Sequence, residues 1–271
     1  DLSRYRLEMA ENRYQIGRAS KLEVLASKVD LNTDTTNLMR QNVLFGNTKI
    51  KLNEVLARDV NTTFDVTDSI SIEDNLKYDL LLNLALQHNP DLQAALINRR
   101  IAQLNLKQVK GQRYPTISIN SAYTRTRTTA ELGFATKNKG NGFSYGATAS
   151  VNIFNGFLQK RNEKNASLEI DNASISLEKV NQGILSQLSA AFQTYLVNLE
   201  LVKLENKNQS VARQNMDITL EKYRLGSITP LEFREAQRNY VDASVRFSNA
   251  QYEAKMAEIA LKQISGSLTL D

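Results

Sequence analysis

The chain has 271 residues with 41% hydrophobic content, enough for one or two ordinary domains with a core, and so few breakers (11 Gly, 3 Pro) that long uninterrupted helices are favoured over a loop-rich globule. A net charge of +5 spread over interspersed acids and bases, with no dense basic stripe carrying aromatics, argues against nucleic acid as a partner. The absence of Cys removes disulfides, thiolate nucleophiles and Cys-based zinc sites, and no apolar run reaches the ~18 residues of a membrane-spanning helix.

The first predicted element is a helix over Leu2 to Gln15. It stops at Tyr14-Gln15-Ile16-Gly17, where glycine enters the left-handed conformation without steric cost. Three residues later Ser20 and Glu23 have the spacing of a capping box, so a new helix begins at a tight turn: an αα-hairpin tip. The outgoing helix, to about residue 57, places Leu31, Leu38, Phe45 and Leu52 at the bulky positions of a heptad seam, with Asp34 and Gln41 at the small ones. Those polar insertions predict a seam facing partly towards water or a charged neighbour.

Residues 58–90 read as a linker. Asp59 to Ser71 is polar and β-branched, and Ile72 to His88 is a short amphipathic helix ending at Asn89-Pro90. His88 is the only histidine, and its place at a helix end favours a dipole role over a catalytic or metal one. A helix over 91–114 follows, with Arg99, Arg100, Lys107, Lys110 and Arg113 on an exposed surface.

From Pro115 the period changes to two, predicting a β-hairpin over 115–155. Phe143, Tyr145, Ala147, Ala149, Val151 and Ile153 alternate with polar or small residues, and Ile117, Ile119 and Tyr123 do the same on the partner strand. The alternation from Phe143 runs across about ten residues, the length of a tilted bilayer-spanning strand. The first strand is expected to lose its alternation at Thr124-Arg-Thr-Arg-Thr-Thr, with a polar loop from about Thr129 to Gly142.

The long helix expected over 156–224 would run roughly 100 Å. Its stripe passes through Ala166, Ile170, Ala173, Leu177, Val180, Ile184, Leu188, Phe192, Tyr195, Leu199 and Val202, and consecutive four-residue steps around Ile184 mark a stutter that locally unwinds a supercoil. A second tip over 223–229 opens a helix to about 266, whose seam runs Ala236, Tyr240, Ala243, Phe247, Ala250, Ala254, Ala257, Leu261, Ile264 in regular 4-3 spacing.

The second tip repeats the first. Tyr14, Gly17, Leu22, Glu23 and Leu52 recur as Tyr223, Gly226, Leu231, Glu232 and Leu261, and the second box, Thr229 with Glu232, has Pro230 at the first helical position. The duplicated unit is therefore domain-sized, with the second copy over 91–271.

These ordered motifs carry a family resemblance. Tyr14-Gln-Ile-Gly17 with Leu22-Glu-Val, Asn89-Pro-Asp-Leu92, Val151-Asn-Ile-Phe-Asn-Gly156, and Tyr223-Arg-Leu-Gly226 with Leu231-Glu-Phe together resemble the TolC family of bacterial outer-membrane efflux and secretion proteins. The resemblance implies a mainly α fold: long antiparallel coiled-coil helices forming the α-barrel of a homotrimer, with a β-hairpin contributing to a transmembrane β-barrel in outer-membrane lipid. The first copy is expected to be truncated, without its incoming helix and hairpin.

The function implied is a passive duct of a tripartite efflux or type I secretion system, spanning the outer membrane and extending into the periplasm, with no cofactor and no catalysed reaction. A periplasmic membrane-fusion adaptor, and through it an inner-membrane pump, would be its partners. Matching family positions implies adaptor docking at Tyr14, Gly17, Ser20, Tyr223, Gly226, Ser227 and Thr229. It also implies an entrance gate of carboxylates at Glu23, Glu232 and Glu235, although first-turn acids also complete capping boxes and offset the macrodipole. The family's basic partner two residues past the tip glycine is replaced by Ala19 and Ile228. The rival readings are a soluble periplasmic coiled-coil scaffold whose hairpin mediates protein contacts, and an enzyme on a helical bundle. The latter lacks the parts for nucleophilic or zinc chemistry.

Overall fold

The computed structural model describes residues 2–67, 69–129 and 137–268. Six helices and one hairpin follow in the order α1 (Leu2–Gln15), α2 (Lys21–Val55), α3 (Tyr78–His88), α4 (Pro90–Gly111), β1 (Thr116–Thr129), β2 (Lys137–Ser150), α5 (Leu158–Arg224) and α6 (Pro230–Ile264). The contacts divide the chain into two units, residues 1–71 with 200–252, and residues 72–199 with 253–271.

The first unit holds α1, α2 and the facing ends of α5 and α6. The 14 residues of α1 cover only the start of the 35-residue α2, burying Ser27 and Asp30 against Ser3, Arg6 and Ala10. Beyond that stretch the expected seam of α2 is solvent-facing, with Leu38, Phe45 and Leu52 all exposed. The polar insertion at Asp34 accepts a hydrogen bond from Ser3, so it meets a neighbour of the kind its chemistry requires. Thr33, Thr35, Thr36 and Thr48 donate to the carbonyl one turn back, which satisfies their hydroxyls without breaking the helix.

In α6 every seam position from Ala236 to Ile264 is buried or half-buried, and Ala243, Ala250, Ala254, Ala257 and Leu261 are almost wholly covered. Small residues let backbones approach, which is why the 4-3 spacing was readable. The stutter of α5 has a local cause in the second unit. Ile184, Leu188 and Tyr195 form one core with Leu81 and Ala85 of α3, Leu92 of α4, and Ala257 and Leu261 of α6. A third and fourth helix must be accommodated there, and consecutive four-residue steps turn additional side chains towards them.

The short helix begins at Tyr78, six residues later than the pattern suggested. Side chains hold the preceding segment extended: the Glu73 N–H donates to Glu258 Oε2 at 3.0 Å, Tyr195 Oη donates to the Glu73 carbonyl, and Lys262 pairs with Glu73 at 2.9 Å. Glu258 is almost fully buried. Burial pushes its carboxyl up, but hydrogen bonds from Lys262, Lys255 and the Glu73 N–H outweigh it, and the group sits below the ordinary carboxylate range. Asn89 caps α4 through Oδ1, accepting from Asp91 and Leu92 N–H, while its amide donates to the Ile264 carbonyl at 2.8 Å. Gly266, at φ +66°, lies where an added Cβ would come 2.5 Å from the His88 carbonyl oxygen, so the end of α6 sits directly on the α3–α4 junction.

The hairpin is antiparallel with a single register, Thr116 opposite Ser150 through Thr129 opposite Lys137. Both strands differ from expectation at their ends. β1 continues to Thr129 and β2 opens at Lys137, because Thr-Arg-Thr-Arg still alternates with period two although it does not alternate in hydropathy. Of the expected loop, residues 130–136 lie outside the described residues. At the other end β2 stops at Ser150, so Val151 and Ile153, assigned to the strand from pattern, lie beyond it and are exposed. The chain there turns into α5 through Gly156 and Phe157, both at φ +63°, and a left-handed conformation at a residue with Cβ costs about 1–2 kcal/mol.

Candidate functional site

Both tips form the same turn. Gly17 and Gly226 take φ +73° and +76°, and each glycine N–H donates to the tyrosine carbonyl three residues back at 3.0 Å. The next N–H reaches one residue further: Arg18 to the Arg13 carbonyl at 2.8 Å, and Ser227 to the Lys222 carbonyl at 3.0 Å. These bonds satisfy helix-end carbonyls that would otherwise lack partners.

The second tip closes its capping box completely. Thr229 N–H donates to Glu232 Oε2 at 2.9 Å and Glu232 N–H to Thr229 Oγ1 at 3.3 Å. Ser20 accepts from the Glu23 N–H at 3.3 Å, but Glu23 Oε1 is buried without a hydrogen-bond partner. Glu23 lies near Tyr223, whose own Oη is buried and unpartnered. Burial pushes the Tyr223 phenol above its ordinary range, the Glu23 carboxylate adds to that shift, and Arg13 opposes it.

The tips are brought side by side. Arg13 donates to the Tyr223 carbonyl and its guanidinium stands 4.6 Å from the centre of the Tyr223 ring, a geometry that attracts a cation to the ring face. The other side of that ring stacks on Phe233, centroids 5.2 Å apart and 6° from parallel. Arg224 makes the corresponding contact with Tyr5, donating to its hydroxyl at 2.9 Å. Below the turns Asp30 accepts a hydrogen bond from Arg6 of α1 and is ion-paired with Arg234 of α6 at 2.7 Å. Arg6, Asp30 and Arg234, with Ser20, Glu23 and Thr229, line a cleft of about 320 Å³.

Of the expected gate carboxylates, Glu23 is half-buried in this cleft wall, Glu232 is exposed but engaged in its box, and Glu235 is exposed beside Arg234 and Arg238. Three carboxylates thus have three different environments. Of the expected docking residues, Tyr14, Gly17, Ser20, Gly226 and Thr229 are exposed and Ser227 is exposed with its hydroxyl on the Lys222 carbonyl, whereas Tyr223 is fully buried. Tyr223 therefore holds the tips together and presents no side-chain surface. The Arg6, Asp30, Arg234 cluster and Arg13 were not legible in sequence, since Asp30 occupies no seam position and Arg13 meets a residue 210 positions away. Phe233 had a faint signal, as the third residue of Leu231-Glu-Phe.

The hairpin sorts its residues strictly. On one face Ile117 opposes Ala149, Ile119 opposes Ala147, Ser121 opposes Tyr145 and Tyr123 opposes Phe143; on the other lie Thr116, Ser118, Asn120, Ala122 and Thr124 with Ser150, Thr148, Gly146, Ser144 and Gly142. Ile117, Ile119, Tyr123, Phe143 and Tyr145 are all largely exposed.

Among known proteins, the family model described as outer membrane efflux protein matches residues 81–267, more than half of the chain. No curated protein is matched. Solved structures share the fold: the CmeC outer membrane channel of Campylobacter jejuni, with 13% identity and a TM-score of 0.69 over 98% of this chain and 56% of that one; the outer membrane protein VceC of Vibrio cholerae, with 16% identity and 0.69 over 98% and 63%; and the open-state MtrE outer membrane channel of Neisseria gonorrhoeae, with 15% identity and 0.63 over 99% and 62%. The likeness at these identities is one of fold, long helices with a β-hairpin, and the chain spans less than two thirds of each of these proteins.

Proposed function

The chain belongs to the outer membrane efflux protein family, and on that premise we propose that it is part of a passive duct through which an energised partner exports its substrates. Membership places the chain in the outer membrane, extending into the periplasm. The duct is a homotrimer whose hairpins close a β-barrel, because lipid leaves no open strand edge satisfied. It catalyses no reaction and uses no cofactor; the energy comes from an inner-membrane pump coupled through a periplasmic adaptor.

The observation that carries this reading is the exposed apolar face of the hairpin. A lone two-stranded sheet is marginal in water, and this one presents Ile117, Ile119, Phe143 and Tyr145 together without a covering layer among the described residues. In lipid the same face is the stable one, with Ala147 and Ala149 alongside, and the hydroxyl-rich face lines the bore. The test is incorporation into planar bilayers. Conductance steps support the duct, whereas a protein that remains in the aqueous phase on detergent partition and gives no conductance is the soluble scaffold.

The tips are the docking end. Tyr14, Gly17, Ser20, Gly226, Ser227 and Thr229 supply the surface an adaptor hairpin meets, and Tyr223 supplies its rigidity from beneath. Among Glu23, Glu232 and Glu235, the last has its carboxylate exposed and uncommitted to a box, so in a trimer it sets the ring that concentrates cations at the entrance. Glu235→Gln is expected to reduce cation preference in bilayer recordings more than Glu23→Gln does.

A further inference from the structure

The end of the hairpin remote from the helices carries Arg125, Arg127, Lys137 and Lys139, and their register places all four on one face. Arg125 opposes Asn141, Arg127 opposes Lys139, and Thr129 opposes Lys137, each pair following the Tyr123–Phe143 pair by whole two-residue steps. This is the same face that bears Ile117, Ile119, Tyr145 and Phe143. The opposite face has none of this charge: Thr124, Thr126 and Thr128 pair there with Gly142, Gly140 and Asn138. Strict alternation means that shifting either strand's sequence by one residue would have sent these charges to the other side.

One face is therefore layered along the strands. Aliphatic pairs come first, Ile117 with Ala149 and Ile119 with Ala147; then the aromatic layer of Tyr145, Tyr123 and Phe143; then the basic layer. Successive same-face pairs are about 7 Å apart along the strand. Aromatic side chains gather where a bilayer meets water, and the basic groups follow immediately beyond them, at the level of lipid headgroups.

Packing alone does not favour such an arrangement. Arg127 and Lys139 are directly opposed like charges, a destabilising cross-strand pair. Among the described residues none of the four basic groups is ion-paired with a carboxylate, and all four residues are exposed. The one acid between the strands in sequence, Glu131, lies outside the described residues.

We propose that Arg125, Arg127, Lys137 and Lys139 form a binding site for the phosphate groups of lipid headgroups in the leaflet remote from the helices. The inference rests on the membrane reading of the hairpin and adds a ligand to it. Guanidinium forks and ammonium groups on two adjacent strands bind phosphate oxygens by charge-assisted hydrogen bonds, and a bound headgroup screens the Arg127–Lys139 repulsion. Because the charges face outward, they do not act as an ion filter in the bore.

The test uses the purified protein in detergent, titrated with a phosphorylated glucosamine-based lipid, with the same lipid after removal of its phosphates, and with inorganic phosphate, bound lipid being counted by native mass spectrometry. Insertion into neutral phosphatidylcholine vesicles is measured alongside. The phosphorylated lipid is expected to bind more tightly than the dephosphorylated one, to resist displacement by inorganic phosphate, and to lose about fivefold in affinity for each of R125Q, R127Q, K137Q and K139Q, with Arg127→Lys largely retaining it. Equal binding by the quadruple Gln variant overturns the proposal. Displacement by equimolar inorganic phosphate also overturns it, by assigning the cluster to a soluble anion. Failure of the unsubstituted protein to insert into neutral vesicles removes the membrane reading and this inference with it, whereas insertion without discrimination between the two lipids removes this inference alone.

Discussion

Tyr14 and Tyr223 occupy the same place in two turns that agree within a few degrees at glycine, yet Tyr14 is 47% exposed and Tyr223 is 0% exposed. The turn is a local product of Y-x-x-G and reproduces wherever that sequence occurs. Burial comes from what lies across the gap. Tyr223 has Phe233 on one ring face and Arg13 on the other, while the residue matching Phe233 in the first copy is the smaller Val24. The duplicated motif thus keeps its backbone while its two tyrosines differ in environment, Tyr223 anchoring the tips from beneath and Tyr14 remaining at the surface.

The comparison breaks most severely at the ion cluster both tips share. Asp30→Ala strands Arg6, only 3% exposed, without its counter-charge, and is expected to cost about 3 kcal/mol in chemical denaturation. If the loss is instead below about 1 kcal/mol, the cluster is solvated and does not tie the tips. Tyr223→Ala should cost a similar amount, about 3 kcal/mol, and Tyr14→Ala less than about 1 kcal/mol; equal losses would show that the tips are equivalent in solution. Gly17→Ala and Gly226→Ala should each cost about 1–2 kcal/mol and match one another, because the turn is the part the tips have in common. The smallest difference lies in the boxes. Glu232→Gln should destabilise by a few tenths of a kcal/mol, whereas Glu23→Gln should be neutral or stabilising, since it removes a charge from a buried oxygen that has no partner.

The same division between local and remote causes explains what could be read from sequence. The turns, the Thr229–Glu232 box, the seam of α6 and the sheet alternation depend on residues within a few positions of each other, and each is legible. The strand ends are less legible, because Arg alternating with Thr keeps its period while losing its hydropathy contrast. The start of the short helix at Tyr78 has no local signal, because the clamp on Glu73 comes from Tyr195, Glu258 and Lys262, far away in sequence. Asp30 likewise carries no local signal, since its partners Arg6 and Arg234 lie on other helices. In the exposed seam of α2, by contrast, Leu38, Phe45 and Leu52 followed the heptad faithfully, but a pattern specifies that a surface wants covering without saying whether this chain covers it.

The hydroxyl-rich face of the hairpin has a consequence for traffic. From Thr116 to Thr128 and from Asn138 to Ser150 that face holds Thr, Ser, Asn, Ala and Gly and not one ionised side chain. As the bore wall of the proposed duct, such a face would offer solutes short, weak, interchangeable hydrogen bonds and no electrostatic trap, so anionic, cationic and neutral cargo would slide along it at comparable speed. On the duct reading, any sorting of cargo would have to be finished before it arrived there.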